Sequence, residues 1–256
     1  MFGMINTTIR TSREFRHISN ALKIGLLLLL CSTTIAGFIW LPEPTTGFLH
    51  PALARMVVFH VPCSLVGTVA SLVATVYAIM YLGTKRREYD IKSRVSYSIA
   101  LLFWVLTTVT GAIFANAQWG AYWSWDIKQS CILLLLLILT SYFALRAAID
   151  DPRKQATAGS VYAVFAMVAV PFLTLILPNG LGPTNHPKGT LTTREGLSSE
   201  YKWVLYLGFF GLTMVYLWMF RLQVALENVK LRMSLTVDGM DRDVPRVNVR
   251  ERIRSL

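Results

Sequence analysis

Long apolar runs separated by short polar or charged breaks dominate the chain. Six of these runs meet or approach the roughly 20 apolar residues needed to cross a hydrocarbon core of about 30 Å: Lys23 to Trp40, Met56 to Gly83, Val95 to Ala115, Ile127 to Leu145, Ala156 to Pro178 and Tyr201 to Phe220. The pattern predicts an all-α, polytopic membrane protein with six transmembrane helices and no soluble domain of any size. Basic residues ahead of the first run, and its short richest part Ile24 to Leu30, would also suit a signal peptide. No convincing small-x-small cleavage site precedes Trp40, so the run is read as a retained span.

Composition agrees with that pattern. Hydrophobic residues make up 54% and charged residues 15% of the 256, against roughly 25% charged in an ordinary soluble domain. Cys31, Cys63 and Cys131 all fall inside apolar runs, where a thiol behaves as a small hydrophobe, and their spacing is that of neither a disulfide framework nor a zinc site.

A net charge of +11 would point to nucleic acid in a soluble protein, but its distribution here sets topology instead. Four basic residues lie in the N-terminal segment up to Lys23, five in the 84–94 loop, three in the 146–155 loop and eight from Arg221 to Arg254. The positive-inside rule then places both termini and these loops in the cytoplasm, with loops 41–55, 116–126 and 179–200 on the opposite, outer face. The chain divides into a cytoplasmic tail over 1–22, a six-helix membrane domain over 23–222 and a basic cytoplasmic tail over 223–256, disordered or held at anionic headgroups. The inner loops read as plain solvated tethers.

The outer loops differ. Between spans three and four the chain runs Asn116-Ala117-Gln118-Trp119-Gly120-Ala121-Tyr122-Trp123-Ser124-Trp125-Asp126, with three tryptophans and a tyrosine in seven residues. Were the segment helical, Trp119, Tyr122, Trp123 and Asp126 would share one face and form a flat apolar platform ending in a carboxylate. Such a surface suits a large planar aromatic ligand, and spacing alone supports equally a lipid-facing interfacial belt.

Of the four histidines, His17 lies in the basic tail and reads as solvated, and His50, beside Pro51 in the first outer loop, is a lesser candidate. His60 opens the second span within Phe59-His60-Val61-Pro62, at a depth where a polar side chain is costly. It is either a ligand or a buried histidine bonded to a neighbouring helix. His186, in Thr184-Asn185-His186-Pro187, is a loop histidine on the same predicted face. Two imidazoles beside a stacking surface would make a heme site, with His60 and His186 as axial ligands of the iron and Arg55, the outer basic residue nearest to His60, as the preferred propionate contact, where a topology or headgroup role fits it equally. Phosphate-binding glycine loops, a nucleophile–base pair and carboxylates within the apolar runs are all missing from the sequence, so an enzyme is not expected.

The segment from Trp119 through Gly120, Tyr122, Trp123 and Trp125 to Asp126 resembles the W-G-x-x-W-x-W-D motif of the heme-handling proteins of cytochrome c biogenesis. The short chain, the six spans and one histidine in each outer loop flanking the motif look most like the CcmC (heme exporter protein C) family; CcmF and the CcsA/ResC type carry more spans. The resemblance covers about residues 20–225. It implies a bacterial inner-membrane protein that holds heme b, as cargo, between His60 and His186 over Trp119, Gly120, Tyr122, Trp123, Trp125 and Asp126. Among the outer basic residues, Arg55 and Lys128 are the candidate propionate contacts. It further implies delivery to the membrane-anchored chaperone CcmE, alongside the ABC transporter subunits CcmA and CcmB and the small protein CcmD. Ile127 stands where relatives commonly have proline, so entry into the fourth span is expected to differ. Because transfer requires release, His186 in its loop is the ligand expected to exchange. The alternative function is a subunit of an ABC complex that exports heme or another solute across the bilayer, which would need a polar path between spans.

Overall fold

The computed structural model describes residues 20, 23–43, 48–180, 184–186 and 197–243, and every regular element among them is helical. His17, Lys188, Arg194 and the tail beyond Asp243 lie outside the described residues. Six helices are long and apolar enough to cross a membrane: α1 (Lys23–Trp40), α2 (Pro51–Thr84), α3 (Arg87–Trp119), α4 (Ile127–Ala147), α5 (Pro152–Gly180) and α6 (Ser199–Asp243, apolar over Ser199–Leu231).

These helices match the predicted spans one for one, but α2, α3, α5 and α6 overrun them. Apolar runs end where hydrocarbon would end, whereas the hydrogen-bond ladder of a helix continues through charged turns beyond it. The inner loop read over 84–94 therefore shrinks to Lys85 and Arg86, and the segment after Leu222, expected to be disordered or surface-bound, continues as helix to Asp243. Lys85 reverses the chain in the left-handed region at φ 56°, its N–H donating to the Tyr81 carbonyl at 2.7 Å.

The central helix is α2, which packs along α3 and also against α5 and α6. Its buried positions include Gly67, Ala70, Ser71, Ala74 and Ala78. Small residues matter here because lipid supplies no hydrophobic drive between helices, so close backbone approach has to. At Gly67 an added Cβ would sit 3.1 Å from the Trp104 indole of α3. The Ser96 hydroxyl of α3 donates to the Ala70 carbonyl at 2.7 Å and lies 2.8 Å from the Tyr216 hydroxyl of α6, joining three helices through one buried polar group.

The expectation of plain inner loops fails at one place. Asp90, in the first turn of α3, and Arg146, in the last turn of α4, form a buried bidentate ion pair with contacts of 2.7 and 3.0 Å. Arg146 also donates to Gln155 Oε1 at 3.3 Å, while Gln155 Nε2 returns a bond to the Arg146 carbonyl at 2.8 Å. Gly159 of α5 makes room, since a Cβ there would lie 2.6 Å from the guanidinium. The charges looked solvated in sequence because each stands at a helix end, and only the packing of α3, α4 and α5 turns them inward. Breaking one side of such a pair strands a buried charge, so Asp90→Ala is expected to cost about 3–5 kcal/mol. A melting curve of the detergent-purified variant should fall accordingly, and the double variant Asp90→Asn, Arg146→Gln should recover part of the loss.

Candidate functional site

At the end of the bundle opposite this ion pair, the three predicted outer loops meet. The first is held by Gln118, a buried residue one position before Trp119. Its Nε2 donates to the His50 carbonyl at 2.9 Å and its Oε1 accepts the His50 N–H at 3.2 Å, so one amide satisfies both backbone groups of the loop. After His50 a turn of 3-10 helix, Pro51–Met56, leads into the regular part of α2. His60 follows, two residues before Pro62, which lacks the N–H that would bond the Val58 carbonyl. Gly208 of α6 approaches that carbonyl, to 3.2 Å for a Cβ built on it.

The His60 ring lies against α3. Its Nδ1 is 3.1 Å from the Thr110 hydroxyl oxygen. That hydroxyl donates to the Leu106 carbonyl at 2.7 Å, so its oxygen is left to accept, and His60 Nδ1 carries the proton. The lone pair is then on Nε2. The ring fits because residue 111 is glycine: a Cβ there would stand 2.7 Å from His60 Cε1.

The tryptophan segment does not form the helical platform that its spacing suggested. Helix α3 ends at Trp119, where Gly120 takes φ 79° and returns its N–H to the Asn116 carbonyl at 3.0 Å. From Ala121 to Asp126 the chain is irregular, so the i, i+3, i+4 relation is lost. Tyr122 is 61% and Trp125 71% exposed, and Trp123 packs edge-to-face on Trp125 with centroids 5.8 Å apart. Trp125 adopts φ 56°, a left-handed conformation costing roughly 1–2 kcal/mol outside glycine, of the kind concentrated at functional sites. Gln129 braces the turn, its Oε1 accepting the Ser124 N–H at 2.9 Å and its Nε2 donating to the Tyr122 carbonyl at 3.3 Å.

Asp126 has a different part from the platform edge foreseen for it. With Ile127 in the position of the usual proline, α4 still begins there, and Asp126 caps it by accepting the Lys128 N–H at 2.9 Å. The same carboxylate accepts the Thr184 hydroxyl at 2.8 Å, the Asn185 N–H at 2.8 Å and His186 Nδ1–H at 3.1 Å. One buried carboxylate thus starts α4 and holds the third outer loop. Burial pushes its pKa up, but the Asn185, Thr184 and Lys128 donors outweigh that and leave it below the ordinary carboxylate range. His186 is shifted below the usual histidine value, by burial first and by the Lys128 charge second, against the pull of Asp126. It is therefore neutral near pH 7, with Nδ1 engaged and Nε2 available. The acceptor on each Nδ1 is what orients a ligating imidazole.

Trp119 is the platform member that reaches a histidine, its ring 5.0 Å from that of His186 and inclined by 60°. Lys128 stands within electrostatic range of both His60 and His186, and the two histidines of each other. Arg55, the preferred propionate contact, instead donates from Nη1 to the Phe38 carbonyl at 2.7 Å and so ties α1 to the start of α2. Gln118, Gln129, Thr110 and Gly111 were missed in sequence. Gln118 and Thr110 act through partners distant in the chain, Gly111 through the room it leaves, and Gln129 through an irregular turn that no residue period announces.

The chain matches the family model described as heme exporter protein C over residues 6–236. It is 24% identical over 234 residues to a heme exporter protein C of Paracoccus denitrificans, covering 86% of this chain and 92% of that protein. To the heme exporter protein C of Rhodobacter capsulatus it is 23% identical over 237 residues, with the same 86% and 92% coverage. A ccmC-like mitochondrial protein of cytochrome c biosynthesis from Marchantia polymorpha is 23% identical over 150 residues, 59% of this chain and 62% of its own.

Proposed function

Because the chain belongs to the heme exporter protein C family, a heme-handling membrane component of cytochrome c maturation, we propose that it holds heme between His60 and His186 and releases it to a carrier. The observation that carries this reading is the matched state of the two imidazoles: each has Nδ1 bonded to an acceptor, Thr110 or Asp126, and each has an Nε2 lone pair left for iron. Trp119 offers an aromatic face beside His186, and the exposed Tyr122 and Trp125, with Trp123 packed on Trp125, offer a surface for the porphyrin or for the protein that takes it. Lys128 is the better propionate contact, since its charge reaches both histidines, whereas Arg55 Nη1 donates to the Phe38 carbonyl.

The cargo is heme b and the recipient the chaperone CcmE, with CcmA, CcmB and CcmD as companions. The site faces the periplasm from the bacterial inner membrane, in keeping with the basic residues gathered at the other face. Release goes through His186, which sits in a loop held by one carboxylate, while His60 is built into a helix. The role is delivery rather than bond-making. The alternative of a solute-conducting subunit draws on the buried Asp90–Arg146 charges, but those groups are occupied by each other, Gln155 and Tyr142.

The test is the visible spectrum of protein purified from heme-replete cells. The Soret band is expected to shift in His186→Ala and to shrink strongly in the His60→Ala, His186→Ala double variant. A spectrum unchanged in both, or a heme-free wild type purified with its partners, would overturn the proposal.

A further inference from the structure

Away from the histidines, at the opposite end of the bundle, the start of α3 and the far part of α6 line an open groove of about 280 Å³. Arg87, Arg94 and Lys230 line it with a single carboxylate, Glu227, and Ile91 and Leu231 supply an apolar wall. Glu227 accepts from Arg94 and lies 3.1 Å from Lys230, which draws both cations to the same opening. Three cations against one carboxylate leave the groove with an excess of two positive charges.

Its level in the membrane is marked by neighbouring side chains. Lys92 Nζ lies 5.5 Å over both the Tyr77 and the Tyr89 rings, and Tyr77 stacks on Phe220 of α6 at 5.9 Å. Tyrosines and lysines grouped around helix ends occupy the headgroup region, with rings toward the chains and charges toward water. A groove at that level with cations on one side and aliphatic residues on the other matches a molecule that carries a phosphate next to hydrocarbon. We propose that it binds an anionic glycerophospholipid, the phosphate held by Arg87, Arg94 and Lys230 and the upper acyl chain lying along Ile91 and Leu231.

A free phosphate ion shares the charge but would gain nothing from the apolar wall, so the lipid is favoured. Bound there, the lipid would clamp α3 to α6 at the end where α3 also carries Asp90.

The full chain in detergent should be titrated with phosphatidylglycerol and, separately, phosphatidylcholine, and retained lipid counted by native mass spectrometry. One phosphatidylglycerol per chain is expected at concentrations that leave phosphatidylcholine unbound. At about a fivefold effect per cation, R87Q with K230Q should weaken retention by roughly 25-fold. Removing the opposing carboxylate with E227Q should strengthen it by about fivefold, a gain that misfolding would not produce. Equal retention of the two lipids, or unchanged affinity in R87Q with K230Q, would overturn the proposal. Loss of the lipid to millimolar inorganic phosphate would overturn it too, by assigning the groove to the ion.

Discussion

Asp126→Asn is expected to lower the heme affinity of the purified protein by about 10–100-fold while leaving the bundle folded, the loss typical of removing the carboxylate that orients a ligating histidine. The helix start should survive, since Asn caps as well as Asp. What is lost is the charge-assisted hold on His186 Nδ1 and on Thr184 and Asn185, three contacts made by one side chain. Asp126→Ala should also lose the cap of α4, at about 1 kcal/mol. The pH dependence separates orientation from protonation. In the wild type the Asp126 carboxylate stays ionised below its ordinary range, so the titration seen on acidification belongs to the histidines.

His186 has its pKa depressed below 6.5, so the unfolded chain binds its proton first. The contribution of neutral His186 to stability is therefore complete above about pH 6.5 and declines as pH falls through the folded value, with heme ligation at Nε2 declining in the same direction. Removing Asp126 takes away a charge that favours the proton, so His186 stays neutral at pH 7 in the variant. The affinity lost at pH 7 should not return at higher pH. A heme titration at pH 7 and pH 8.5 that showed recovery at the higher value would mean that Asp126 acts on protonation and not on orientation.

Gly111→Ala should remove His60 from the iron as effectively as His60→Ala does. The new methyl would stand 2.7 Å from His60 Cε1, and the ring has to turn out of its bond with Thr110 to relieve that contact. Alanine is better than glycine inside a helix by roughly 1 kcal/mol, so the thermal midpoint of apoprotein should hold or rise while the heme spectrum changes. A wild-type spectrum in Gly111→Ala would show that the ring has another place from which to bind, and Thr110 would lose its assigned part.

Sequence patterning carried much of this protein because a bilayer imposes a rule that can be read locally. Each span must satisfy its own backbone and present apolar side chains, so length and hydropathy suffice to number the helices, as the six here show. The motif from Trp119 to Asp126 likewise stood out by its residues alone.

Its shape did not. Helical spacing suggested a platform, and the left-handed residues Gly120 and Trp125 instead open the segment into a turn. Glycine enters the left-handed region freely and tryptophan only at a cost, so the shape adopted is set by where α3 stops and by Gln129 bonding back to Tyr122 and Ser124. The same is true of Asp126, which sequence put at the edge of a stacking surface and folding put under His186.

The sequence by itself determined the membrane class, the number of spans and where each span falls along the chain. All of these follow from side-chain transfer energies, which add up along the chain regardless of what lies across from it. Only the tertiary structure decided which nitrogen of each imidazole is free, which cation stands near both rings, and that Asp90 and Arg146 face each other instead of water. Those are pair interactions between residues 50 to 60 positions apart, as in Thr110 with His60, Arg146 with Asp90 and His186 with Asp126, and their energy exists only once packing has brought the partners within a few ångströms.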